Sequence, residues 1–166
     1  MLPWVGDMDA TVRHIERFLG VKVDVSTMDG APAIPSGTAI ILFADIVDST
    51  ALTERLGDGV LAVFTSARQA IEAALACAKA GAEASLPLHL GLHAGDVIRE
   101  DKNVYGGAVN IASRISGLSA PGEVLVSDTV RSLARTSAGV AFEDRGEQAL
   151  KGVGDAMRVW AVKGAE

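Results

Sequence analysis

The residues best suited to chemistry are a few carboxylates at the ends of apolar runs, one Asn/Arg pair and one isolated lysine. Ala39 to Ala44 is a continuous apolar run that ends at Asp45 and is followed by Ile46-Val47-Asp48-Ser49-Thr50. A carboxylate at the end of a buried strand, beside a turn, suits a hard cation. Asp58 lies between Gly57 and Gly59, just before the apolar run Val60 to Phe64. Glycines there suit a tight turn with the aspartate at its tip. Two carboxylates at neighbouring strand ends would hold one or two magnesium ions against a triphosphate. From spacing alone, the reading of Asp48 and Asp58 as turn or cap residues is the stronger one.

Asn110 and Arg114 stand at i and i+4 after Gly106-Gly107, so on a helix they share a face. A guanidinium there would neutralise phosphate charge developing in a transition state. An isolated pair of this kind is more often a solvated helix face. Lys151, in Leu150-Lys151-Gly152, reads as a loop lysine. His89 and His93 share one side of a predicted strand, but no cysteine or third histidine stands near them to complete a zinc site. The chain has no Gly-rich loop ending in Gly-Lys-Ser/Thr and no Gly-x-Ser-x-Gly elbow.

These residues need a scaffold, and the hydropathy pattern supplies one. The both-sides-apolar run 39–44 predicts a central strand. A short helix is expected over 49–56 and a strand over 60–64. Ser66 is placed to cap a long helix over 67–80, stopped by Gly81. A strand follows over 88–93, with Val97 starting its hairpin partner. A helix over 108–118, a turn at Pro121-Gly122, a strand over 123–126 and a short helix capped by Asp128 come next. Strands at 140–142 and 158–162 close the chain. Helices mixed with a largely antiparallel sheet make the class α+β. Upstream, residues 1–25 hold a predicted helix over 8–19, residues 26–37 are a Pro/Gly/Ser linker, and the main domain is 38–166.

The chain has 166 residues, 49% of them apolar and 22% charged, with a formal net charge of -6 and no long basic run. Nucleic acid is therefore not expected as a partner. The single cysteine, Cys77, excludes an internal disulfide and reads as a buried helix residue. No apolar stretch reaches the ~20 residues of a membrane span, so no membrane partner is expected. Asp7 and Asp9 stand where a signal peptide would be basic and then apolar. A cytoplasmic location is the expectation.

Taken together, the motifs resemble one family. Phe43-Ala44-Asp45-Ile46-Val47-Asp48-Ser49-Thr50 is similar to the first metal motif of class III adenylate and guanylate cyclases. Gly57-Asp58-Gly59-Val60-Leu61-Ala62-Val63-Phe64 is similar to the hairpin with their second metal aspartate. Leu90-Gly91-Leu92-His93-Ala94-Gly95 resembles a core strand, and Val104 to Arg114 resembles the transition-state helix. Pro121 to Ser127 and Arg145 to Gly152 continue the likeness in order. The resemblance covers 38–163 and implies a ferredoxin-like βαββαβ cyclase homology domain that works as a head-to-tail homodimer. It implies that Asp45, the Ile46 carbonyl and Asp58 of one subunit bind two Mg2+ or Mn2+ ions per site. Asn110 and Arg114 of the partner would orient the ribose and stabilise the α-phosphate, with Lys151 on the phosphates and Asn103 at a base-reading position. The implied activity is adenylate cyclase: ATP, or GTP as the alternative base, is cyclised with release of pyrophosphate. Residues 1–20, with Leu2-Pro3-Trp4-Val5-Gly6-Asp7, resemble the tail of an α/β-hydrolase domain fused upstream of some bacterial cyclases. The histidine that precedes that segment in the hydrolases has no counterpart here, so no hydrolase activity is expected.

The chain departs from the family between Thr53 and Val60. A long helix and a strand, which usually brings a base-reading lysine, are missing around 56–59. Asn103 stands where adenylate cyclases commonly have aspartate, and an amide offers different donors and acceptors. The loss implies an open sheet edge and uncovered apolar surface. It motivates a second expectation, a catalytically silent cyclase-homology module for dimerisation or regulation.

Overall fold

The apolar run after Gly37 forms an inner strand of the sheet, its alternate residues entering two different helix layers. The computed structural model describes residues 3–5, 37–46, 60–100 and 103–164. In chain order these are β1 (Pro3–Val5), β2 (Gly37–Ile46), β3 (Val60–Phe64), α1 (Ala67–Glu83), β4 (Leu88–Glu100), β5 (Asn103–Tyr105), α2 (Gly107–Leu118), β6 (Val124–Ser127), α3 (Asp128–Ala134), β7 (Ala141–Gln148) and β8 (Met157–Lys163). The sheet order is β1-β3-β2-β4-β6-β8-β7, with β5 hairpinned onto the end of β4. Neighbours are antiparallel except β1 with β3 and β4 with β6.

From β2, Ile40, Leu42, Ala44 and Ile46 enter the core under α1 and α3, whereas Ala39, Ile41 and Phe43 enter the core under α2. Burying a side chain such as Ile41 or Leu42 stabilises the fold by about 1.5–3 kcal/mol. Helix α1 can lie close to the sheet because its inner face is small: Ala70, Ala73, Ala74, Cys77, Ala80 and Gly81 are all buried. The α+β class follows as expected, and residues 47–59 alone separate β2 from β3.

The structure corrects several local expectations. Ser66 does cap α1, its Oγ accepting from Gln69 N at 3.3 Å. The helix does not stop at Gly81 but runs to Glu83. Gly81 is instead a contact point, since a Cβ there would meet the Leu86 carbonyl oxygen at 2.7 Å. β4 continues through Val97 to Glu100, and the hairpin partner is β5. Ser127, not Asp128, caps α3 by accepting from Val130 N at 3.4 Å. Asp128 accepts from Trp160 Nε1 at 2.8 Å, and Arg131 stacks 3.9 Å over the same indole, tying α3 to β8. The expected helices at 8–19 and 49–56, with Asp48 and Asp58, lie outside the described residues.

The expected open edge is partly covered. β1 pairs with β3 in parallel, Pro3 opposite Leu61 and Val5 opposite Val63. The N-terminal segment thus takes the position at the outer side of β3 among the described strands.

Candidate active site

Helix α2 carries Asn110 and Arg114, and two glycines in β4 set its height above the sheet. A Cβ on Gly91 would lie 2.3 Å from Ser116 N and 2.7 Å from the Ala112 carbonyl oxygen. A Cβ on Gly95 would lie 3.0 Å from the Ala108 Cβ. The small residues Ala108, Ala112 and Ser116 form the buried face of α2, so helix backbone rests on strand backbone. The helix starts after Gly106, whose φ of 137° is open to glycine and strained for other residues. At the other end Ser119 pins the helix to β4. Its Oγ accepts from Leu90 N at 3.1 Å and donates to the Ser116 carbonyl at 2.8 Å.

With its inner face seated, α2 turns Asn110 and Arg114 outward, and both are exposed. They line a cleft of about 450 Å³ with Gly107, Ile111, Lys151, Gly152, Val153 and Gly154. Lys151 belongs to the β7–β8 loop. It follows Leu150, which is only 5% exposed and packs with Ile115, Leu125, Val159 and Ala161. Gly152 at φ 80° and the bond from Val153 N to the Leu150 carbonyl, 3.0 Å, turn the loop at this point. The charged side chains of this wall are Arg114 and Lys151, both cations, and neither is ion-paired to a described residue. Two cations and an amide around an open cleft suit a polyanion such as a phosphate chain.

Asp45 does not line this cleft. It is the penultimate residue of β2, half-buried, with Oδ1 accepting from Ile46 N at 2.8 Å. Strand alternation places it on the sheet face shared with Ile41 and Phe43, opposite His89 of β4. The His89 Nδ1 lies 2.7 Å from the Ser119 carbonyl oxygen. A carbonyl only accepts, so Nδ1 carries the proton. His93, further along the same face, is 7% exposed, and its Nδ1 has no hydrogen-bond partner. Burial lowers its pKa from the usual imidazole value. Among the described residues no three His, Cys, Asp or Glu side chains gather as a metal site. Asn103 stands on β5 opposite Glu100. Asp58 lies outside the described residues.

Sequence reasoning therefore found the three residues that share the cleft. It missed what seats them. Gly91 and Gly95, four apart on a strand facing Ala108 and Ala112 four apart on a helix, were the readable signal for close backbone contact. Cys77 is buried in α1 as expected, and burial pushes its thiol up to about 12.

The described fold is a mixed α+β domain of the kind seen in cyclase domain structures. Residues 59–164 match the adenylate and guanylate cyclase catalytic domain, and the chain belongs to that family. The match begins after β2, so Asp45 precedes it. The chain is 36% identical over 115 residues to a Rhizobium meliloti protein named "Putative adenylate cyclase 3". It is 32% identical over 79 residues to a pH-sensitive adenylate cyclase of Mycobacterium tuberculosis. These matches take in 64% and 46% of this chain and one fifth, 20%, of each relative's length. An adenylate/guanylate cyclase/hydrolase structure from Silicibacter pomeroyi superposes with a TM-score of 0.69 at 26% identity, over 77% of this chain and 97% of that one. The guanylate cyclase domain of Catenaria anguillulae, solved with GTP, superposes with a TM-score of 0.66 at 19% identity, over 79% and 98%. At that identity the likeness speaks for the fold. No helix among the described residues is long and apolar enough to cross a membrane.

Proposed function

We propose that this domain converts ATP to cyclic AMP and pyrophosphate at the interface of a homodimer, in intracellular signalling in the cytoplasm. The observation that carries the reading is the cleft that unites Asn110, Arg114 and Lys151 from two separate elements. ATP is preferred over GTP because both curated relatives are named for adenylate cyclase activity. The ribose 3′-oxygen attacks the α-phosphorus in line, and pyrophosphate leaves. Asn110 orients the ribose, Arg114 neutralises charge growing on the α-phosphate, and Lys151 holds the leaving phosphates. Asn103 stands at the base.

Asp45 lies away from the cleft, so one chain holds only part of the machinery, and two-fold pairing would bring Asp45 of one subunit to the cleft of the other. The donor set fits a hard divalent ion. One Asp45 oxygen is held by Ile46 N–H, which leaves the other for a cation, and the Ile46 carbonyl and Asp58 add oxygen donors. Two Mg2+ or Mn2+ ions held there would supply activation of the attacking hydroxyl and neutralisation of the phosphates. Residues 1–25 resemble a hydrolase tail, and fusion to an upstream α/β-hydrolase is part of the same reading.

The shortened connection 47–59 favours a second reading, a catalytically silent cyclase-homology module. Cyclic AMP formation from ATP with Mn2+, at a protein concentration that drives dimerisation, separates the two. Turnover supports the enzyme. Triphosphate binding without any cyclic nucleotide supports the silent module.

A further inference from the structure

Beyond the cleft, one ion pair links its two walls. Glu123 follows the turn after α2 and spends both carboxylate oxygens. Oε2 accepts from Ala120 N at 3.0 Å, and Oε1 accepts from Arg145 of β7. Glu123 is only 18% exposed, the most enclosed carboxylate among the described ion pairs. Arg145 sits in a β-bulge. Asp144 pairs with Trp160 and Glu147 with Arg158, so Arg145 and Gly146 together face one residue of β8. Gly146 at φ 75°, with its N–H donating to Asp144 Oδ1 at 2.8 Å, makes the bulge. A bulge re-aims its side chains, and this one directs Arg145 across to Glu123. Gln148 Nε2 then donates to the Arg145 carbonyl at 2.8 Å, which fixes the chain where it leaves β7 for Leu150 and Lys151.

We infer that Glu123 and Arg145 are positioning residues that hold the Lys151 loop at its working distance from Asn110 and Arg114. Neither touches the cleft. Glu123 belongs to the α2 wall through Ala120, and Arg145 belongs to the Lys151 wall through the bulge and Gln148. With the pair broken, the Lys151 loop keeps its Leu150 and Val153 anchors and the pairing of Gln148 with Met157 at its base, and loses its tie to the α2 wall. The inference rests on the cleft being a phosphate site, and its test separates the two claims.

Hydrogen exchange of the backbone over 149–154, read against α2 and the β2–β4 core, reports the tie without any ligand. In Glu123→Gln and in Arg145→Met, exchange in this loop should rise about 1.5- to fivefold, the range of a part-exposed ion pair, while α2 and the core hold. In a Glu143→Gln background, which removes the second carboxylate 3.4 Å from Arg145, the double variant E123R/R145E should return it towards the wild type. Affinity for inorganic tripolyphosphate should fall and recover in step. Unchanged loop exchange in the single variants, equal loosening of α2 and the core, or no recovery in the swapped pair would each overturn the tie. A wild type that does not bind tripolyphosphate would overturn the phosphate reading of the cleft, and the exchange data would still decide the tie.

Discussion

His93 shows how a single buried side chain can couple stability to pH. It lies buried on the face that α2 covers, with one ring nitrogen unpartnered. Burial depresses its pKa in the folded state, so the unfolded chain binds the proton first as pH falls. Stability is therefore full above the ordinary imidazole value of about 6.5 and declines as pH drops below it towards the lower folded value. The urea midpoint should fall between pH 7.5 and pH 5.5, and His93→Gln should flatten that dependence. Legibility at this scale was uneven. Asn110 and Arg114 were readable because i, i+4 spacing on a helix fixes a shared face. Glu123 and Arg145 were visible as residues of motifs but not as a pair. Their meeting depends on a bulge that two-residue strand periodicity cannot register.

Among the elements, α2 on β4 is the contact that matters most for the cleft. Strand and helix meet backbone to backbone at Gly91, where a methyl group would fall well inside van der Waals distance of Ser116 N and the Ala112 carbonyl. Gly91→Ala should destabilise the domain by about 1–3 kcal/mol, the usual cost of overpacking, seen as a lower urea midpoint. It should also weaken nucleotide binding, since α2 must lift or tilt to make room. Gly107→Ala, with nothing within 4 Å of the added carbon, is the control and should leave stability within about 0.5 kcal/mol of wild type. The sequence placed β2, α1, α2 and β6 well because their apolar patterns are long and regular. Gly81 misled as a helix stop because its packing role against Leu86 and Leu88 is a tertiary matter. β4 outran its alternating stretch because its far end pairs with β5, a partner that hydropathy alone does not show.

For the molecule as a whole, the decisive feature is an edge. The domain is truncated relative to full cyclase domains, only residues 47–59 separate β2 from β3, and among the described residues β1 lies beside β3. The sequence showed the shortening but not its cover, because a three-residue strand far from its partner leaves no periodic signal. An uncovered strand edge invites pairing with another chain. Deleting residues 1–5 should therefore increase self-association, measured by light scattering over a range of concentrations. Unchanged scattering would mean that β1 does not guard the edge.

The same scale holds the central claim, that catalysis needs Asp45 of one chain and the Asn110/Arg114/Lys151 cleft of another. The most direct measurement is cyclic AMP formation from ATP with Mn2+ by Asp45→Asn, by Arg114→Ala and by an equimolar mixture of the two. Each variant alone should fall about 10²-fold or more, as when a transition-state group is lost. Random pairing makes half the dimers mixed, and each mixed dimer regains one intact site of two. The mixture should thus recover about a quarter of wild-type activity, as two-fold symmetry requires. A mixture as inactive as its folded components would contradict the shared site, and an inactive wild type would contradict the enzyme.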